Sequence, residues 1–376
     1  MATETIKASV LHGPRDLRVE DRQLSPPEPT ELQVAVKATG ICGSDQHYFQ
    51  HFRNGDILVR EPMSLGHESA GVVVAVGSAV TGFQPGDRVA LEVGLSCGEC
   101  KLCARGRYNL CQGMRFRSSA KAFPHFQGTL QERINHPAKW CHKLPESVSF
   151  DEGSLLEPLS VAIHAIRRSP QPKGSRALVL GAGAVGLLVA AMLRVEEASS
   201  ITIADIEGSR VDFATANGFA DHGVVVPRKR PASDATADKL ALAQETAQLL
   251  RGGEAGEHFD VVYECTGVEP CVQAGIYAAA TGGALMLIGM GTPVQTLPVS
   301  AAALREVDIL GVFRYANTYA YGLEVLSTKG QGRLPDVGKL VSHRFSGMDG
   351  IPGAFATAGK PVGDDGNLVL KVMIEF

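Results

Sequence analysis

Cys97-Gly98-Glu99-Cys100-Lys101-Leu102-Cys103, followed by Cys111, places four thiols within 15 residues, half of the 8 cysteines in the chain. Four thiolates satisfy a tetrahedral Zn2+ and leave no coordination position open, so the spacing predicts a structural metal site that pins a loop. Lys101, Arg105 and Arg107 stand close by in sequence and would offset part of its negative charge. Disulfides are the competing chemistry for such a cluster. The segment Met1–Val10, however, carries Lys7 and no apolar core, and does not read as a secretory signal. The chain reads as soluble and cytoplasmic, where thiols stay reduced and a cysteine cluster is used for metal.

Gly181-Ala182-Gly183-Ala184-Val185-Gly186 has the form G-x-G-x-x-G. In a chain with 42 glycines that spacing alone is weak. It gains weight because it follows the apolar run Ala177-Leu178-Val179-Leu180 and opens a helix-like stretch, Val185–Arg194. In that setting Gly181 permits a tight turn, Gly183 lets the backbone approach a pyrophosphate, and Gly186 lets helix and strand pack closely. The helix start offers free N–H groups and a positive dipole end to phosphates. Asp205 lies 19 residues past Gly186, after the strand Ile201-Thr202-Ile203-Ala204, where a carboxylate would accept hydrogen bonds from adenosine ribose hydroxyls. Its charge would repel a 2′-phosphate and so favours NAD over NADP. Arg210 is the nearby residue that could instead attract one.

A third group is dispersed. Cys42 sits in Thr39-Gly40-Ile41-Cys42-Gly43-Ser44-Asp45, His67 and Glu68 follow after Gly66, and Glu157 precedes Pro158. Thiolate, imidazole and carboxylate are all zinc ligands. Adjacent side chains on a strand point to opposite faces, so His67 and Glu68 could share one ion only if the chain bends there, as Gly66 allows. On spacing alone the plainer reading wins for each, because an isolated cysteine is usually a small buried hydrophobe and a glutamate a solvated charge.

Positioning these groups requires two kinds of element. Up to about residue 150 the chain is rich in short β-branched runs between turn residues, such as Leu32–Val36, Gly71–Val76 and Arg88–Leu91, and reads as mostly β. Beyond residue 160 buried-type strands alternate with helices. Phe259–Tyr263 and Ala284–Ile288 repeat the apolar pattern, and the helix candidate Ser209–Asn217 ends at Gly218. Such alternation implies an α/β doubly wound parallel sheet. The charged stretch Pro227–Glu257, with Arg228-Lys229-Arg230 near its start, reads as a solvated loop plus an exposed helix. The expected domains are 1–160, 161–303 and a tail, 304–376, that rejoins the first.

Composition agrees with a globular chain: of 376 residues, 44% are hydrophobic and 20% charged. With 36 basic against 40 acidic residues the net charge is −4, which argues against nucleic acid as a partner. Ala177–Leu193 is uncharged for 17 residues, but three glycines break it, so no membrane span is expected.

Gly66-His67-Glu68-x-x-Gly71-x5-Gly77-x-x-Val80 resembles the signature of zinc-containing alcohol dehydrogenases of the medium-chain dehydrogenase/reductase superfamily. The four-cysteine loop and the later fingerprint follow in that family's order. Gly40–Tyr48, Leu156–Ala162 and Arg305–Thr318 are further similar to its polyol branch, the sorbitol dehydrogenases. The resemblance implies a mostly-β GroES-like catalytic domain with a Rossmann insert, and a zinc- and NAD-dependent enzyme that exchanges a polyol and a ketose, acting as a homotetramer. It implies that Cys42, His67 and Glu68 surround a catalytic zinc, and that Glu157 lies beside it, bound directly or through water. Ser44 and His47 would serve the proton path, while Tyr48, Arg314 and Tyr315 would line the substrate. Gly181, Gly183, Val185, Gly186, Asp205, Arg210 and Phe313 would contact NAD, and Cys97, Cys100, Cys103 and Cys111 would hold the structural zinc. Met114–Phe126 departs from the family's usual Thr-Pro-Pro-containing stretch near the substrate entrance.

Overall fold

The β-rich part of the chain is organised around one ten-residue strand, Glu31–Gly40, whose Leu32, Val34 and Val36 side chains are buried. In the computed structural model, which describes residues 3–170 and 173–376, that strand belongs to a seven-stranded sheet. Glu68–Val76 pairs antiparallel along one edge of it. The other edge is shared: Arg133–Pro137 pairs with Glu31–Ala35, and Lys371–Glu375 pairs with Ala38–Gly40. Alternating side chains from these strands meet in a core of Leu32, Val34, Val36, Val73, Val89 and Leu91.

The chain divides into two units. One comprises Met1–Ser160, Ala316–Ser327 and Gly338–Phe376, the other Val161–Tyr315 and Thr328–Val337. The boundary falls inside the helix Phe150–Arg168, which contains Pro158. The second unit extends past the expected limit at 303. Asp308–Gly311 forms a sixth strand on its sheet, parallel to Ala284–Leu287, so the chain leaves this unit only after that strand is made.

The second unit's sheet runs His222–Val225, Ser200–Asp205, Arg176–Leu180, Phe259–Glu264, Ala279–Leu287, Asp308–Gly311, all parallel. Arg176–Leu180 comes first in sequence but sits inside the sheet, so the strand order reverses beside it. At such a switch point the connections leave in opposite directions and open a crevice at the strands' carboxyl ends. Ala177, Leu178, Val179 and Leu180 are at most 3% exposed, as expected of a strand covered on both faces.

Thr236–Arg251 is the surface helix expected in this stretch, with one buried stripe that the sequence reading did not anticipate. Its Ala243, Ala247 and Leu250 are buried, and the last two pack with Phe259 and Leu285 in the core. Spacings of four and three residues put those side chains on one stripe. Among the described residues, no helix is long and apolar enough to cross a membrane.

Candidate active site

Gly66 adopts φ +90°, a conformation that glycine alone takes readily, and the strand begins only at Glu68. The bend removes His67 from strand alternation. Its imidazole converges with the Glu68 carboxylate and the thiol of Cys42, the cap residue of helix Gly43–His51, with ligand atoms within 4.8 Å of one another. His67 is 4% exposed and Glu68 1%. Sulfur, nitrogen and oxygen donors at this separation fit a Zn2+ with three protein ligands and one position left for substrate or water.

The surroundings of the three groups are equally specific. Asp45 Oδ2 accepts the Cys42 N–H at 3.1 Å, and Oδ1 accepts Ser118 Oγ at 2.6 Å and the Gly66 N–H at 3.2 Å. The same Oδ1 faces His67 Nδ1 at 3.3 Å, although that buried nitrogen makes no aligned hydrogen bond. With Nδ1 turned to a carboxylate, Nε2 is left as the ring's donor for an ion, the arrangement by which an outer carboxylate orients a metal-bound histidine. Lys371, from the last strand, donates to both Glu68 oxygens at 2.7 and 2.6 Å and to Ile41 O at 3.1 Å. Burial disfavours its ammonium, but the Glu68 charge outweighs that and holds its pKa above the ordinary lysine value. A Cβ on Gly40 would lie 2.3 Å from Glu68 Oε2, so only glycine there leaves the carboxylate its place.

Glu157 is buried in the same unit, outside the mutual set of three, and its charge also favours the Lys371 ammonium. On helix Gly43–His51, Ser44 is half-buried and His47 exposed, three residues apart on one face. Tyr48 is buried, and its hydroxyl accepts the Ala120 N–H at 3.2 Å. Phe116, at the start of the Met114–Phe126 stretch, sets its ring edge-on to His67 with centroids 5.6 Å apart. Arg314 and Tyr315 belong to the second unit; Arg314 has φ +51° and lies 4.9 Å over the Phe313 ring, and Tyr315 is buried.

The four-cysteine lobe is self-contained. Cys100 and Cys103 sulfurs are 3.5 Å apart, Cys97 and Cys111 3.5 Å, and Cys97 and Cys103 3.9 Å. These are the edges of a ZnS4 tetrahedron with 2.3 Å bonds, about 3.8 Å, and far too long for a disulfide. N–H groups of Glu99 and Cys100 aimed at the Cys97 sulfur hold its thiol down at about 6. Between the third and fourth cysteines, Tyr108 donates to Glu92 Oε1 at 2.5 Å and accepts the Asn317 N–H at 2.7 Å, tying the lobe to the sheet.

In the second unit the fingerprint glycines have separate duties. Gly181 has φ +98°, and a Cβ on Gly186 would fall 1.8 Å from Gly181 O. Gly183 has nothing nearer its missing Cβ than Arg210 at 3.7 Å, so the space there is free for a phosphate. Val185 lies in the first turn of helix Ala184–Val195. Asp205 Oδ2 accepts the Ala182 N–H at 2.7 Å and Oδ1 the Glu207 N–H at 2.9 Å, so its carboxylate is fixed beside the fingerprint. Gly181, Asp205, Ile206, Thr266, Arg228 and Lys239 line a cavity of about 650 Å3, within the range of small-molecule and cofactor sites. Arg228-Lys229-Arg230 is an exposed loop, as the sequence suggested, and from it Arg228 pairs with Glu207 and borders the cavity.

Sequence reasoning missed Glu264. Its buried carboxylate accepts the Thr266 N–H at 2.7 Å, the Thr266 hydroxyl, and the Gly267 N–H at 3.0 Å. Thr266 in turn packs against Gly181. The signal was present in Glu264-Cys265-Thr266-Gly267, a charged residue ending an apolar strand. Asp45, Ser118 and Lys371 were also missed, since nothing local in sequence marks them as partners of a metal site.

Residues 28–146 match the alcohol dehydrogenase GroES-like domain and residues 184–328 the zinc-binding dehydrogenase domain. The chain is 42% identical to sorbitol dehydrogenase of Bos taurus over 97% of its length and 95% of the relative's. It is 39% identical to that of Homo sapiens, covering 97% and 94%. The solved structure of L-idonate 5-dehydrogenase from Escherichia coli shares the fold, with a TM-score of 0.84, 24% identity and coverage of 100% and 99%. Two thiolate-bearing metal clusters, a dinucleotide crevice and near-complete alignment converge: the chain belongs to the zinc-binding medium-chain dehydrogenases, in their sorbitol dehydrogenase branch.

Proposed function

We propose that the chain oxidises a secondary hydroxyl of a polyol to a ketone, D-sorbitol to D-fructose and also xylitol, with NAD as hydride acceptor. The balance is alcohol plus NAD+ to ketone plus NADH plus a proton. The observation that carries this reading is the Cys42, His67 and Glu68 cluster, a metal site with a carboxylate donor and a coordination position to spare.

When bound, the metal supplies Lewis acidity toward the substrate hydroxyl and the nicotinamide supplies the hydride acceptor. The chain's own residues do the rest. Cys42, His67 and Glu68 hold the ion, and Asp45 fixes the imidazole's orientation. Glu157 stands by as a further carboxylate for the ion or its water. Ser44 relays the proton released from the hydroxyl, accepting it while giving up its own, and the proton leaves either by the nicotinamide ribose and His47, exposed on the same helix face, or by water near Glu157. Tyr48, Arg314 and Tyr315 hydrogen-bond the remaining hydroxyls, which is what distinguishes a polyol from a simple alcohol. Gly181, Gly183, Val185 and Gly186 receive the pyrophosphate, Asp205 takes the adenosine ribose, and Arg210 and Phe313 complete the cofactor contacts. Four cysteines, Cys97, Cys100, Cys103 and Cys111, hold a second zinc with no catalytic part. The working form is a cytoplasmic homotetramer.

The test is a panel of sorbitol, xylitol, L-arabinitol, galactitol, 2,3-butanediol and ethanol with NAD and NADP, followed by absorbance of the reduced nicotinamide. Sorbitol or xylitol with NAD should give the highest kcat/KM. Preference for butanediol or ethanol would overturn the polyol assignment, and preference for L-arabinitol or galactitol would move it within the polyols.

A further inference from the structure

The stretch 114–126, which departs from the family pattern, contains one residue in an unusual conformation. Ser118 has φ +60°, which residues with a side chain rarely adopt, and it is only 3% exposed. The backbone on either side is tightly held. Arg117, fully enclosed, stacks 4.4 Å over the Phe126 ring and donates to Gln127 O at 3.0 Å and His136 Nδ1 at 3.2 Å. The Ser118 N–H donates to Phe126 O at 3.0 Å, closing the loop on itself. The left-handed turn thus directs one hydroxyl inward, and its target is Asp45 Oδ1 at 2.6 Å.

That oxygen is the one facing His67 Nδ1. Hydrogen bonds to a charged acceptor are short and about twice as strong as neutral ones, and the Ser118 bond is the shortest that Asp45 makes. We infer that Ser118 is a positioning residue of the metal site: its hydroxyl fixes the carboxylate that backs His67, and so links the loop beginning at Phe116 to the imidazole. The inference rests on the reading of Cys42, His67 and Glu68 as zinc ligands. It differs from a purely structural role for Ser118, because a φ of +60° would be satisfied better by glycine, which has no hydroxyl to give.

Ser118→Gly and Ser118→Ala separate the two roles. Both lose the hydrogen bond, and only glycine relieves the backbone. The readouts are zinc per chain, the rate of zinc release to a chromogenic chelator, the melting temperature, and kcat and KM for the preferred polyol. The wild type should hold two zinc ions per chain. Both variants should lose one of them about tenfold faster, since outer-shell partners of metal ligands tune affinity by at least that factor. The loss in kcat/KM should fall mainly on kcat, and Ser118→Gly should melt no lower than Ser118→Ala. In an Asp45→Asn background the glycine change should add little further release. Wild-type zinc retention in Ser118→Gly would overturn the inference. A wild type with only the four-cysteine zinc would overturn the ligand reading itself, and the inference with it.

Discussion

The two groups of the first unit that could hold a metal ion are built in opposite ways. The four-cysteine lobe takes all its ligands from one run, Cys97 to Cys111, and its sulfurs already sit 3.5–3.9 Å apart. The Cys42, His67 and Glu68 cluster takes its groups from a helix start and a strand start, and is backed by Asp45 from that helix's first turn, Ser118 from the 114–126 stretch and Lys371 from the last strand. A closed site needs only its ligands. A site that must leave a position open needs outer partners as well, because nothing on the empty side holds the ligands in place.

The contrast breaks most visibly on removal of one ligand from each. Cys42→Ala should lower kcat/KM by about 1,000-fold, the worth of several kcal/mol of Lewis-acid assistance, while the melting temperature changes little. Cys100→Ala should do the reverse, lowering the melting temperature and protease resistance of the lobe with a smaller effect on turnover of the folded fraction. Zinc analysis and activity of both variants decide this, and equal catalytic losses would erase the distinction.

Lys371→Met tests the outer partners. A buried carboxylate stripped of its ammonium should cost about 3 kcal/mol of stability in urea unfolding of the zinc-depleted protein. The cost should shrink when zinc is bound, because the ion then neutralises Glu68. An equal loss with and without zinc would detach Lys371 from the metal site.

The dinucleotide site falls between the two extremes, with a local glycine loop and one distant carboxylate. Asp205→Ala should weaken NADH binding about tenfold, or roughly 1.4 kcal/mol, and narrow the gap to NADPH. Nicotinamide fluorescence titration measures both, and unchanged affinities would refute the ribose contact.

What could be read in the sequence follows the same division. Local ligand runs and the strand-turn-helix glycines were legible because their meaning is contained in neighbours along the chain. The convergence of His67 with Glu68 was legible only as a condition, that the chain bend at Gly66. Its φ of +90° meets that condition. Asp45 and Lys371 were not legible: each looks like an ordinary surface charge until strand pairing brings it to a ligand. Asp308–Gly311 escaped for another reason. It is an edge strand, largely exposed, and lacks the fully apolar pattern that marked its neighbours. In Thr236–Arg251 the buried stripe is made mostly of alanines, and the charges around it dominated the pattern.

The pairing of Glu68 with Lys371 spans 303 residues, and that separation has a meaning in time. At the usual 5–20 residues per second of protein synthesis, roughly 15–60 s pass between the making of the carboxylate and the making of its ammonium. Through that interval the nascent first unit also lacks the strand Lys371–Glu375 that flanks Ala38–Gly40. The four-cysteine lobe has all its ligands early and can take its metal on the ribosome. The Cys42, His67 and Glu68 cluster gains its ammonium partner only after 303 further residues have been added.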